Sequence, residues 1–201
     1  MIPQLYVFAG PNGAGKSSFS GWLLGPGIPV FDGDKEFAKL KTTFNSTDSG
    51  TLYDAVNGHI FDNWKQLQLS TKADCAFETN FRSADVMNTI RQFANNAYET
   101  NLYFFGLDSI QAAIERVRLR VAEGGHDVSL ENIKANYDEG LKNLRAYFSD
   151  FDRVNLLQNF AGINEPALFT PLMQIEKGQI VEQAANLPDW AVRFSATVFR
   201  H

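Results

Sequence analysis

The chain has 201 residues, enough for one domain with a full core and too few for two domains of ordinary size. Hydrophobic residues make up 44% and charged residues 20%, with 17 Phe, a composition that excludes disordered and collagen-like chains and gives the core an aromatic character. The formal net charge of −5 argues against long-range attraction to nucleic acid or anionic membrane, so any anion the protein binds has to be met by a local site.

In chain order, Leu5 to Ala9 is apolar throughout, as in a strand buried on both faces of a parallel sheet. A glycine-containing loop covers residues 10 to 15. Lys16 to Leu24 can form a helix, stopped by Gly25-Pro26-Gly27, and Ile28 to Phe31 reads as a second strand. Residues 51 to 69 place Leu52, Val56, Ile60, Trp64 and Leu67 at spacings of four and three, the stripe of an amphipathic helix, with Gly58 a blemish in it. Cys75 to Phe77 forms a third short strand ending at Glu78; Ser83 to Tyr98 is helical; Asn101 to Leu107 is a fourth strand. Two helices follow. The first carries Ile110, Ile114, Val117 and Val121 and stops at Gly124-Gly125, and the second carries Ile133, Tyr137, Leu141, Leu144 and Phe148. Arg153 to Leu157 supplies a fifth strand. From Leu172 the texture changes to two short strands around Lys177-Gly178, a hairpin followed by Pro188 and Trp190.

This order predicts a three-layer α/β domain over residues 1 to 165 with a mostly parallel five-stranded sheet, because parallel neighbours need crossover helices. Residues 166 to 201 are expected to form a small extension packed on it. Cys75 is the single cysteine, so neither an internal disulfide nor a cysteine metal cluster can form, which favours the cytoplasm. The N-terminus has no basic stretch of the signal-peptide kind, and no apolar run is long enough to span a bilayer.

Chemistry concentrates in Gly10-Pro11-Asn12-Gly13-Ala14-Gly15-Lys16-Ser17, which matches G-x-x-x-x-G-K-[ST] between a strand and a helix. Glycines let the backbone wrap a phosphate, with inward N–H groups and a helix N-terminus behind them. Lys16 would reach the β- and γ-phosphates, Ser17 would ligate Mg²⁺, and Ser18 continues the nucleotide-binding stretch. The alternative is a glycine turn before an ordinary helix, yet a random chain of this length would contain the pattern only roughly once in a hundred.

Other candidates follow strand ends, where ligands of open α/β folds bind. Asp34 follows the second strand and can accept a proton from a hydroxyl; its other reading is an N-cap for a helix beginning near Lys35. Asp32 is the weaker candidate of the two. Glu78, at the end of the third strand with Thr79 and Asn80 after it, can help hold Mg²⁺ or position an acceptor, or only cap a helix. Arg116 and Arg120 are four apart and share a helix face, so they suit a triphosphate, or else lie on a solvated face beside Arg118 with Glu115 and Glu123 compensating. His59, His126 and His201 lack metal-ligand spacing.

The runs LYVFAGPNGAGKSSF, FDGD, AFETNFRS and ERVRLRVAEGGHDVSLENIKANYDEGLKNL together resemble the zeta-toxin-like P-loop kinases, in the right order over roughly residues 4 to 160. The resemblance implies a P-loop kinase fold with a helical lid, binding ATP and Mg²⁺ on the phosphate loop and phosphorylating a hydroxyl of a UDP-amino-sugar-like acceptor. By position it implies Asp34 as general base, Lys16 and Ser17 as phosphate and metal residues, Glu78 as the acceptor-side glutamate, and Arg120 as the arginine over the phosphates. It also leaves room for an antitoxin-like protein partner. The chain departs from the family pattern at Asn80, where Thr is usual, at Asn136-Tyr137, where relatives commonly read Arg-Tyr, and at Gln158-Asn159-Phe160 in place of Asp-Asn-Ser. The missing cation at Asn136 motivates an alternative, a nucleotide-binding protein with weak or no kinase activity acting through a protein partner. A polynucleotide-end kinase is disfavoured by the negative charge.

Overall fold

The computed structural model describes residues 1–24, 27–125, 127–159 and 169–199. The expected helix stop at Gly25-Pro26, His126, Phe160, His201 and the boundary between residues 165 and 166 lie outside them.

One sheet organises the chain. Strands β1 (Gln4–Ala9), β2 (Val30–Phe31), β3 (Cys75–Thr79), β4 (Glu99–Gly106), β5 (Arg153–Asn159), β6 (Phe169–Glu176) and β7 (Gln179–Gln183) lie in the order β2-β3-β1-β4-β5-β6-β7. The first five are mutually parallel, β6 runs antiparallel to β5, and β7 runs antiparallel to β6. The α/β class is as expected, but the hairpin at Lys177-Gly178 extends the same sheet instead of packing beside a five-stranded one. β6 can do this because its Leu172, Met173 and Ile175 are buried, continuing the core along β5.

Helices cover both faces. α1 (Lys16–Leu24) sets Phe19 edge-on against Phe105 of β4 at 5.1 Å between ring centroids. The neighbouring Phe104, pointing to the other face because strand side chains alternate, meets Trp190 of the C-terminal helix Asp189–Val198 at 6.0 Å. That helix has a readable signal, Trp190, Ala191, Phe194 and Val198 all buried at helical spacing after Pro188, which the hairpin reading of the tail passed over.

The other helices are α2 (Gly33–Thr43), α3 (Ser49–Ala55), α4 (Phe61–Thr71), α5 (Val86–Asn95), α6 (Ile110–Ala122) and α7 (Leu130–Tyr147), the Asp189–Val198 helix being α8. α3 and α4 are joined by a π-helical turn, Val56–Ile60, which contains Gly58. Its wider turn changes the phase of the apolar stripe. Leu52 and Val56 are buried as expected, but beyond the turn Gln68 is buried while Leu67 is 58% exposed. α5 is shorter than the helix expected over Ser83 to Tyr98 because Asn96 and Ala97 turn the chain, Ala97 with φ of +63°, into β4. Among the described residues no helix is long and apolar enough to cross a membrane.

Candidate functional site

The phosphate loop closes directly from β1 onto α1, and two of its glycines are obligatory. Gly10 has φ of +137°, and a Cβ there would lie 2.3 Å from the Phe105 carbonyl oxygen; Gly13, at φ +78°, would meet the Arg116 Cβ at 2.7 Å. A larger residue at either position displaces backbone. Asn12 and Ala14 are buried, and Pro11 turns the loop by accepting from the Ala14 N–H at 3.3 Å. α1 has no acidic residue in its first turn, which leaves its N-terminus favourable to an anion. Ser18 is exposed on that turn.

Lys16 folds over the loop. Its Nζ donates to the carbonyls of Gly10 at 2.8 Å and Pro11 at 3.2 Å and to Asn80 Oδ1 at 3.0 Å. The amine end is enclosed although the residue as a whole is half-buried. Burial pushes its pKa down, Glu78 and Asp34 act against that fall, and Arg120 adds to it. The departure at Asn80 thus has a structural use: its amide oxygen reaches the loop lysine.

Glu78 stands beside the start of α1. Ser17 Oγ donates to Glu78 Oε2 at 2.6 Å and Ser20 Oγ to Oε1 at 2.9 Å, while Asp32 Oδ2 lies 3.4 Å from Ser17 Oγ. Burial raises the Glu78 pKa, the two serine hydroxyls oppose the rise, and Asp32 adds to it. A serine hydroxyl with two carboxylates around it suits a hard cation such as Mg²⁺, which takes one or two carboxylates and completes its shell with phosphate oxygens and water. Among the described residues no group of three or more His, Cys, Asp or Glu is placed to hold a metal ion.

The cap of α2 falls on Asp32, not Asp34. Asp32 Oδ1 accepts from the N–H groups of Asp34 at 3.1 Å and Lys35 at 3.2 Å. Its backbone, at φ −121° and ψ 105°, is extended as an N-cap requires. The signal was present in the sequence, since a carboxylate two residues before Asp34 suits the cap equally well. With Asp32 capping, Asp34 stands in the first turn and lines the same cleft as Lys16, Glu78, Thr79 and Asn80, a cavity of about 880 Å³. Thr79 is partly committed to shaping that wall, its Oγ1 accepting from the Phe81 N–H at 3.0 Å.

The arginines split as their spacing implies. Arg118 is exposed, whereas Arg116 and Arg120 are half-buried. Arg116 donates to the Asn159 carbonyl at 3.1 Å and approaches the Gly13 carbonyl at 3.4 Å, which fastens α6 to the phosphate loop and to the end of β5. Arg120 acts from the same helix on the cleft. Tyr53 is raised by burial and by Asp34, with Arg120 opposing, and Lys16 feels the same two charges.

Other side chains brace the elements around the cleft. Phe37 of α2 stacks on Tyr53 of α3 at 4.0 Å and 12°; Arg82, after β3, donates to Asn132 of α7 at 2.8 Å. Gln158 is buried between Asp108 and Trp190, donating to the first at 2.6 Å and accepting from the second at 2.7 Å, so it anchors α8.

No known family profile matches the chain, and no curated protein sequence does. Solved structures do. One from the PezAT chromosomal toxin–antitoxin system of Streptococcus pneumoniae matches with a TM-score of 0.61 at 15% identity, covering 98% of this chain and 85% of that one. AvrRxo1-ORF1:-ORF2 with ATP matches at 0.63 and 11% identity, covering 98% of this chain and 63% of that one. A putative kinase from Chloroflexus aurantiacus J-10-fl matches at 0.54 and 16% identity, covering 69% and 77%. At these identities the likeness shows the fold: the chain has the α/β fold of these structures, with the phosphate loop between β1 and α1.

Proposed function

We propose that the protein is an ATP-dependent kinase that transfers the γ-phosphoryl group of ATP to a hydroxyl of a small molecule, a nucleotide sugar of the UDP-amino-sugar kind. The observation that carries this reading is that Lys16 touches both the phosphate loop and Asn80 of the acceptor side, with Asp34 in the same cleft. Donor and acceptor sites therefore share one lysine.

Residues 10 to 18 and Arg116 bind the nucleotide. Asp34 takes the proton of the acceptor hydroxyl as its oxygen bonds to the γ-phosphorus; the bond from phosphorus to the β,γ-bridging oxygen breaks, and ADP leaves with that electron pair. Lys16 exchanges its present acceptors for phosphate oxygens and, with Arg120, stabilises the charge on the transferring group. Glu78, Thr79 and Asn80 orient the acceptor, with Phe37, Tyr53 and Arg82 forming its outer wall. Bound through Ser17 beside Glu78 and Asp32, Mg²⁺ would neutralise phosphate charge. The expected setting is the cytoplasm, without nucleic acid or membrane.

A screen of nucleotide sugars and nucleosides with ATP and Mg²⁺, scored by product mass, tests the reading. Asp34→Ala is expected to abolish transfer while ATP binding remains; full turnover by this variant would overturn the base assignment. A second reading, a nucleotide-binding protein with little or no transfer that acts through an antitoxin-like partner, is favoured by Asn136 standing where the resembling family has arginine. ATP binding without transfer to any acceptor would select it.

A further inference from the structure

α7 carries a face that its own stability does not explain. Its buried stripe Ile133, Tyr137, Leu141 and Leu144 already docks it in the core. Beside that stripe run Asn132, Asn136, Gly140 and Asn143, spaced four, four and three, hence on one side of the helix. Asparagine and glycine are poor helix formers, so this face weakens the helix that bears it.

Each member meets one of two loops. Asn136 Nδ2 donates to Asn12 Oδ1 of the phosphate loop at 2.7 Å, with the two residues only 6% and 4% exposed. Asn143 Nδ2 donates to the carbonyls of Phe81 at 2.8 Å and Arg82 at 3.0 Å. Phe81 itself has φ of +56°, a left-handed conformation that a bulky residue adopts only when its surroundings impose it. Gly140 lets the same loop approach, since a Cβ there would lie 2.9 Å from the Asn80 carbonyl oxygen. Asn80 in turn accepts from Lys16. One helix therefore meets both loops, the phosphate loop at Asn12 and the acceptor loop at residues 80 to 82, and Lys16 donates to both loops.

We propose that the asparagine–glycine face of α7 is a positioning device that holds the phosphate loop and the acceptor loop in one register, with Asn136 the positioning residue for the phosphate loop and Asn143 for the acceptor loop. This rests on the kinase reading above. Asn136 is then not a lost cation. It is a short amide matched to Asn12, and a longer arginine placed between those two buried groups displaces the loop.

Leucine substitutions remove the amides while keeping the branched shape, with serine as the smaller counterpart that rules out overpacking, and three measurements separate positioning from simple support: the affinity for ATP with Mg²⁺ by calorimetry, the hydrogen exchange of segments 10–17 and 79–83 with and without ATP, and the melting temperature. Asn136→Leu is expected to weaken ATP about tenfold, and Asn12→Leu with Asn136→Leu to cost no more than either alone, as for two residues acting as a unit. Asn143→Leu is expected to leave ATP affinity within about twofold of wild type while ATP no longer slows exchange in 79–83. Asn136→Arg is expected to lose affinity. If either leucine variant fails to fold, Asn136→Ser and Asn143→Ser carry the same comparisons. Wild-type affinity in Asn136→Leu, additive losses in the pair, or a gain in Asn136→Arg would each overturn the proposal. If the wild type does not bind ATP, the kinase reading falls instead. Exchange without nucleotide then decides the positioning: faster exchange of 79–83 in Asn143→Leu supports it and unchanged exchange overturns it.

Discussion

The two edges of the sheet use the same residue types in opposite surroundings. Where β1, β4 and β5 begin, Glu99 pairs with Arg153 at 3.1 Å and Arg153 approaches Glu176 at 3.6 Å, all three side chains being between 29% and 45% exposed. Gln4 joins them by donating to Glu99 at 3.0 Å. Where β1, β2 and β3 end, Lys16 and Glu78 are desolvated enough that burial drives the lysine pKa down and the glutamate pKa up. Water solvates the first set and makes its pairing nearly neutral in free energy. At the second edge both ionisable groups are held against their solvation preference, an arrangement that stability does not select and a charged ligand relieves. The difference supports the proposal that the carboxyl edge is the working one, by an argument separate from the motif.

The sharpest way to break that contrast is Lys16→Ala. If the desolvated lysine meets the transferring phosphoryl group, its removal lowers the transfer rate by roughly 10³-fold, the scale for loss of a preorganised charge-stabilising donor. Initial rates of product formation at saturating ATP check this. A variant within about tenfold of wild type would make the buried lysine a structural curiosity, contrary to the scale expected of a charge-stabilising group.

Glu78→Gln sharpens the contrast from the other side, because it should weaken binding and strengthen the fold. Between the ordinary glutamate pKa of 4.5 and its raised native value, the native state holds the Glu78 proton more tightly than the unfolded chain does. Stability contributed by this group therefore falls as pH rises through that window, and the full penalty is present above it. Removing the charge is expected to raise the melting temperature at pH 7 by roughly 2–4 °C, equivalent to about 1 kcal/mol in a domain of this size. The variant's melting temperature should also fall less than the wild type's as pH rises from about 4.5 towards neutrality. Titration with Mg²⁺ and ATP should show a loss of roughly 10–100-fold in affinity for the cation, the scale for removing a group that orients a metal ligand. A lower melting temperature at neutral pH would mean that the serine hydrogen bonds outweigh the burial of the carboxylate.

Which parts of this edge were legible in the sequence follows from how far apart the interacting residues are. The phosphate loop is contiguous, and Asp34 and Glu78 follow strands whose apolar runs announce them, so the motif and both carboxylates could be placed before any fold was known. Asp32 was readable but ambiguous, because two carboxylates precede one helix and only the backbone decides which caps it. The Asn136–Asn12 contact spans 124 positions and carries no pattern. In sequence Asn136 registers only as an absent arginine. The π-turn is a phase effect of one extra residue, and it sent Leu67 to solvent and Gln68 inward. The β6–β7 pair was legible as a hairpin, but a hairpin's strands do not say whether the neighbouring sheet will accept a further edge.

The smallest expected effect lies at the opposite edge, and it is the control that gives the others meaning. Arg153→Ala removes the contacts to both Glu99 and Glu176. Because the pairs are partly exposed, the expected loss is at most about 1 kcal/mol at low salt and less at 1 M, where the screening length is only about 3 Å. Two groups oppose a larger effect: Gln4 still donates to Glu99, and Asn101 donates to the Gln4 side chain at 3.0 Å, so the network keeps hydrogen-bonding partners when the guanidinium goes. Tyr6 offers a local reporter. Its hydroxyl pKa is raised by burial and by Asp74, and Arg153 holds the rise back, so Arg153→Ala should move it further up in a spectroscopic titration. ATP affinity should not change, since the substitution lies at the far ends of the strands that carry the phosphate loop. A loss above about 2 kcal/mol would put this pair outside the range of exposed ion pairs; that loss, or any change in ATP affinity, would show that charge at the two edges is coupled through the sheet and that solvation alone does not divide them.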